Sequence, residues 1–133
     1  RPSRRYASHH FTWSVLVATI RDLVGALRGR DGVDAAIVLG RDGLVIDGQS
    51  VPNIDVESVA ALVPSIVSAA DEFGRDSTHG NVTTVILEYA RGLAIVSVLS
   101  SEAVLLVLAR TDANVGSLLF ELRRNRQHIS SLV

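Results

Sequence analysis

Hydrophobic positions recur with helical spacing in three stretches and with strand-like density in five. From 12 to 28 the pattern predicts a helix, with Trp13, Leu16, Ile20, Leu23, Val24 and Leu27 on one face and Arg21, Asp22 and Arg28 opposite. Gly29 and Gly32 around Arg30-Asp31 end it. Val33 to Leu39 and Leu44 to Gln49 read as strands, joined by Gly40-Arg41-Asp42-Gly43, where Asp-Gly favours a tight hairpin. Asp55 is placed to cap a second helix, with Ile54 and Val59 as a hydrophobic staple. That helix is apolar almost all round. Val59, Leu62, Val63, Ile66, Val67, Ala70 and Phe73 follow core spacing, while Ser58, Ala61, Ser65, Ser68 and Ala69 leave the outer side small rather than charged. Pro64 lies inside it and predicts a kink or a second segment. Gly74 is expected to end the helix before a polar loop over 75–80.

Three further strands are expected at Asn81–Tyr89, Leu93–Leu99 and Ala103–Ala109, with turns short enough for an antiparallel meander. The last two are apolar on both faces, so both faces of the sheet must be covered. The run from Gly92 to Ala109 is divided by Ser100, Ser101 and Glu102, which favours two strands over a membrane span. Thr83, Thr84 and Glu88 make the third strand the most polar and a candidate edge. Asp112 or Asn114 caps the last helix, whose stripe is Val115, Leu118, Leu119, Leu122 and Ile129. The order α-β-β-α-β-β-β-α predicts an α/β domain, a five-stranded antiparallel sheet with the first and third helices on one face and the second on the other. Small residues outside the second helix leave room for another helix to approach, so the expected lid is a second copy of the chain.

Composition narrows this further. Hydrophobic residues are 47% and aromatics 5% of 133 residues, a Val, Leu, Ile and Ala core in one domain. The net charge of −1 gives no global field for nucleic acid or anionic lipid, so neither nucleic-acid binding nor membrane insertion is expected. No cysteine is present, which excludes disulfides and thiolate metal sites and fits a cytoplasmic location. All 13 basic residues are arginine, which codon usage explains. No methionine is present, so the natural start is expected to lie elsewhere, and no signal peptide is recognisable. Residues 1–11 read as a basic N-terminal arm and 12–133 as the domain.

The candidates for chemistry are few. His9, His10, His79 and His128 have no acidic or histidine partner at i, i+4, so no metal site or cofactor is expected and solvated rings are the plain explanation. Asp42 is explained by its turn. Arg123, Arg124 and Arg126 lie where the helix macrodipole stabilises cations. No phosphate loop, dinucleotide fingerprint or nucleophile elbow occurs, so no enzyme activity or catalytic residue is expected.

Three stretches carry a family resemblance: V-D-A-A-I-V-L-G-R-D-G-L-V-I from Val33, E-Y-A-R-G-L-A-I-V-S-V-L from Glu88, and T-D-A-N-V-G-S-L-L-F-E-L-R from Thr111. In this order the chain resembles the roadblock, or dynein light-chain-like, family, which includes bacterial and archaeal regulators of Ras-like GTPases. The resemblance implies a profilin-like sandwich and a homodimer in which third strands pair across a two-fold axis and second helices pack antiparallel. It also implies a small Ras-like GTPase as partner, whose nucleotide cycle is modulated without a catalytic residue from the dimer. The dimer contacts expected are Val59, Leu62, Ser65, Ile66 and Ala69 on the second helix, with Thr83 and Val85 on the third strand. Asp71, Glu72 and Arg75 are candidate partner contacts. A scaffold or light-chain role without effect on nucleotide turnover is the alternative, and a small-ligand sensory domain a further one.

Overall fold

A computed structural model describes residue 13 and residues 15–133. The expected basic arm, with His9 and His10, lies outside the described residues. The elements are α1 (Ile20–Arg28), β1 (Val33–Gly40), β2 (Val45–Ser50), α2 (Val56–Asp76), β3 (Thr84–Tyr89), β4 (Gly92–Val98), β5 (Ala103–Ala109), α3 (Val115–Arg124) and α4 (Arg126–Ser130). The five strands form one antiparallel sheet in the order β2-β1-β5-β4-β3, so β3 is an edge, as its polar side chains predict. Alternation along β1 sends Ala36 and Val38 to one face and Ala35, Ile37 and Leu39 to the other. The first set packs with Leu23, Val24 and Leu27 of α1 and with Leu118, Leu122 and Ile129 of α3 and α4. The second packs with Ala60, Val63 and Val67 of α2. Two cores on two faces account for the double-sided apolar character of β4 and β5.

The first hairpin turns as its sequence dictates. Gly43 has φ +89°, a left-handed conformation that glycine adopts without strain. Its N–H donates to the Gly40 carbonyl at 2.9 Å, and the Asp42 carboxylate accepts from the Leu44 N–H at 3.0 Å. A side chain at position 43 would meet Pro64 Cγ at 3.2 Å, so the turn lies directly against α2.

Five expectations need correction. The first helix does not run unbroken from 12. Trp13, Val15 and Leu16 are helical, the backbone opens over Val17–Thr19, and α1 starts at Ile20. Thr19 takes the cap, its hydroxyl accepting from the Asp22 N–H at 3.1 Å, while Asp22 accepts from the Ala18 N–H at 3.2 Å. The break turns Leu16 outward, whereas Val17 is buried. The last helix is likewise divided at Asn125, a buried residue whose side-chain amide donates to the Glu121 carbonyl at 2.8 Å.

The second helix passes Pro64 without interruption, so no second segment begins there. It also passes Gly74 and ends at Asp76, which places Arg75 in the helix rather than in a loop, and β3 starts at Thr84 rather than Asn81. Gly74 serves close approach instead of termination: a Cβ there would lie 2.1 Å from the Gly80 carbonyl oxygen.

The helix start follows the sequence. Asp55 accepts from the Ser58 N–H at 3.2 Å and from the Ser58 hydroxyl at 2.8 Å. The hydroxyl, then the N–H, hold its carboxyl below the ordinary aspartate value. A folded-state pKa below the unfolded one contributes stability that is complete above the unfolded value and lost as pH falls through the depressed one. Asp55→Ala is therefore expected to lower Tm at pH 7, with a smaller difference from the parent under acid conditions. Asp55→Asn, which keeps a neutral cap, should lose less at pH 7. Thermal melts from pH 7 to pH 3 check both, and a pH-independent deficit in Asp55→Ala would refute the carboxylate's part.

Candidate functional site

The phase of α2 decides what the protein presents to its surroundings. Its buried residues are Ala60, Val63 and Val67, with Val56, Val59 and Ala70 partly buried beside them. Leu62 and Phe73, expected in the core, are instead 67% and 76% exposed. Successive residues turn by about 100°, so Leu62, Ile66, Ala69 and Phe73, at i, i+4, i+7 and i+11, form one shoulder of the helix. Ala60 lets the helix sit close to the sheet and turns that shoulder away from the core. Of the seven residues expected at the dimer contact, Leu62, Ser65, Ala69 and Thr83 are exposed, and Ile66 is half-buried. Val59 and Val85 are half-buried against the chain's own core.

This shoulder runs beside β3, whose outer edge is free among the described residues. An open groove of about 690 Å³ separates them, lined by Ala69, Ala70 and Phe73 on α2 and by Thr83, Thr84, Val85 and Ile86 on the strand side. The Val98 N–H donates to the Thr83 carbonyl, so antiparallel alternation points the backbone groups of Val85, Leu87 and Tyr89 at β4 as well. Those of Thr84, Ile86 and Glu88 point outward. Thr83 and Val85, named from sequence, therefore contribute side chains on the α2 face of the sheet rather than edge hydrogen bonds. Ile86 at 45% and Tyr89 at 60% exposure extend the apolar character along the strand.

The remaining candidates separate. Asp71 is held internally, its carboxylate accepting from the Val82 N–H at 2.8 Å. Glu72 and Arg75 are exposed. Arg124 lies 5.8 Å from the Phe120 ring centre, over its face, and Arg123 and Arg126 are exposed. His79 is exposed, its Nδ1 near the Ser77 carbonyl oxygen. His128 is not a solvated ring: its Nε2 donates to the Val17 carbonyl oxygen and ties α4 to the segment before α1. The sequence also concealed a polar cluster, in which Glu121 Oε1 accepts from the Trp13 ring N–H at 2.9 Å and from Arg30 at 3.2 Å, while Arg30 also reaches the Ser117 hydroxyl. These contacts join residues about ninety to a hundred and ten positions apart, which no local pattern reveals; they fasten the C-terminal helices to the N-terminal part of the domain.

Comparison with known proteins places this geometry. The sequence profile of the Roadblock/LC7 domain matches residues 19–109, more than half of the chain. The chain belongs to the Roadblock/LC7 family. An uncharacterized protein of Methanocaldococcus jannaschii is 28% identical over 106 residues, covering 80% of this chain and 89% of that protein. The solved Roadblock/LC7 domain from Streptomyces avermitilis is 26% identical with a TM-score of 0.69, over 79% of this chain and 88% of that one. The gliding protein MglB of Thermus thermophilus has the same fold, with a TM-score of 0.74 at 14% identity over 84% and 86% of the two chains. The Roadblock/LC7 sheet and its helices on both faces are thus as the sequence anticipated. Among the described residues, no helix of this Roadblock/LC7 chain is long and apolar enough to cross a membrane.

Proposed function

We propose that the chain acts as a homodimer that binds a small Ras-like GTPase and modulates its nucleotide cycle without supplying a catalytic residue. The observation that carries the dimer is the exposed apolar shoulder of α2, with Leu62 67% and Phe73 76% accessible beside an unpaired strand edge. Large aliphatic and aromatic side chains on a helix flanking a free edge favour association, because both the apolar surface and the edge hydrogen bonds are satisfied together. Two copies related by a two-fold axis would pair Thr84, Ile86 and Glu88 across β3 and set Leu62, Ser65, Ile66 and Ala69 of one α2 against the other. Thr83 and Val85 would supply side chains beneath that contact, and Val59 would flank it.

The GTPase reading rests on Roadblock/LC7 membership and on the absence of a nucleotide-binding motif in the chain itself. Glu72 and Arg75 are the proposed partner contacts. Asp71, committed to the Val82 N–H, supports that end of the helix instead. Such a partner would place the protein in the cytoplasm.

The test uses the protein as bait in a native lysate loaded in parallel with a GTP analogue or GDP. A small GTPase retained preferentially in the GTP-analogue arm, whose hydrolysis or exchange rate then changes with added protein, is the expected result. A GTPase retained without any change in turnover would overturn the regulator and leave a scaffold. Recovery of only a large partner, equal in both arms, would do the same.

A further inference from the structure

The other shoulder of α2 has a different chemistry. Pro64, Ser68, Asp71 and Arg75 recur at i, i+4, i+7 and i+11, on nearly the opposite side of the helix from Leu62, Ile66, Ala69 and Phe73. They face the end of β1 and the start of β5 across a half-open pocket of about 240 Å³. Its floor is apolar, made by Leu39, Val63, Val67 and Val104, and Arg41 and Arg75 stand at its rim from two different elements. The Arg41 backbone is fixed by its N–H bond to the Glu102 carbonyl at 3.0 Å. The nearby carboxylates keep their charge but are each held by a backbone N–H rather than by an arginine. Asp42 accepts from the Leu44 N–H, and Asp71, which also lines the pocket, accepts from the Val82 N–H. Among the described residues, neither Arg41 nor Arg75 has an ion-pair partner.

We propose that this pocket binds a small organic anion, a carboxylate or phosphate ester carrying a short apolar body. Two arginines without ion-pair partners among the described residues supply N–H donors within reach of a bound anionic head, and charge-assisted bonds of this kind are stronger than neutral ones. The Ser68 hydroxyl adds a neutral donor. The aliphatic floor takes the body of the ligand, which inorganic anions lack. A pocket that combines an apolar lining with a few convergent polar groups is the general form of a small-ligand site. It sits away from the dimer shoulder, so it does not require the dimer, and it shares Arg75 with the proposed GTPase contact.

Backbone amide NMR of the protein alone tests the pocket, with butyrate, butyl phosphate, inorganic phosphate and n-butanol as probes. Butyrate or butyl phosphate is expected to shift the Gly40, Arg41, Ser68 and Arg75 amides saturably, with weaker binding of inorganic phosphate and of n-butanol. The Arg41→Ala/Arg75→Ala double variant should weaken the organic anion by roughly tenfold or more, the loss of charge-assisted hydrogen bonds. Ser68→Asp, which brings a negative charge to the rim, should weaken it as well and serves where the double variant folds poorly. Absence of saturable shifts at these four amides, or unchanged affinity in the variants, would overturn the site. Inorganic phosphate binding as tightly as butyl phosphate would overturn the part assigned to the apolar floor. Loss of the dimer in Leu62→Arg with anion binding intact supports the separation of the two shoulders; loss of both would refute it.

Discussion

A Leu62→Arg chain is expected to migrate as a single soluble chain in size-exclusion chromatography with light scattering, where the parent migrates as two. Leu62 contributes nothing to the monomer core: it is 67% exposed and belongs to neither packed cluster. Fold and Tm of the isolated chain should therefore be nearly unchanged. In the proposed dimer the same position is buried, and burial of one leucine is worth about 1.5–3 kcal/mol. Arginine forfeits that and places a charge in an apolar contact, where desolvation costs several kcal/mol per ion without a partner. A two-fold axis applies the change twice. Those losses are large beside typical association energies, about 8 kcal/mol for a micromolar complex. A two-chain mass for the variant would overturn the interface assigned to this shoulder.

The second large effect is expected from Gly74→Ala. Alanine is ordinarily the better helix residue, by about 1 kcal/mol, so propensity alone predicts a gain. The structure predicts a loss, because the new methyl group would lie 2.1 Å from the Gly80 carbonyl oxygen. That oxygen belongs to backbone, not to a side chain that can swing aside. The Gly74 carbonyl also accepts from the His79 N–H at 2.7 Å, which holds the following loop tight against the helix end. Overpacking of this kind costs about 1–3 kcal/mol, enough to shift a urea midpoint clearly. Gly80→Ala gives the comparison: among the described residues nothing lies within 4 Å of its added Cβ, but φ is +82°. Its penalty is conformational only, about 1–2 kcal/mol. Gly74→Ala should be destabilised despite its propensity gain, by an amount comparable with Gly80→Ala; a stabilised Gly74→Ala would show that the loop yields easily. It should also disturb the groove, since Gly74 and Gly80 both line it.

The sheet, its order and the capped start of α2 were legible because each rests on local chemistry. Asp42-Gly43 specifies a turn, Asp55 and Ser58 specify a helix start, and the doubly apolar β4 and β5 require cover on two faces. The phase of α2 was not legible. Where Val, Leu, Ile and Ala occupy nearly every side of a helix, periodicity no longer points to one face, and the sheet chose Ala60 over Leu62. The break after Leu16 was concealed in the same way, since apolar residues continue across Val17–Thr19 while Thr19 and Asp22 supply the cap. Gly74 looked like a stop because glycine ends helices more often than it admits a neighbouring carbonyl. The dimer residues drawn from sequence lie on the helix and edge strand that the proposed dimer uses, but Val59 and Val85 are largely occupied by their own core. Edge hydrogen bonding belongs to Thr84, Ile86 and Glu88, an alternation that only the Thr83–Val98 bond fixes.

The sheet ends in two different strands, and this difference governs how large an assembly can grow. Pairing β3 with another β3 consumes both copies of that strand and stops at two chains, a closed symmetry. Pairing β3 with β2 would leave one of each exposed and would propagate without limit. At the β2 end, the register with β1 shifts between Val38 and Leu39, and the Gly48 N–H is taken up by the Asp47 carboxylate at 2.9 Å. Irregular pairing and an inserted charge both make a strand a poor template for another chain. In the proposed dimer the β3 margin is used up by its twin while the β2 margin resists pairing, so the assembly would close at two chains.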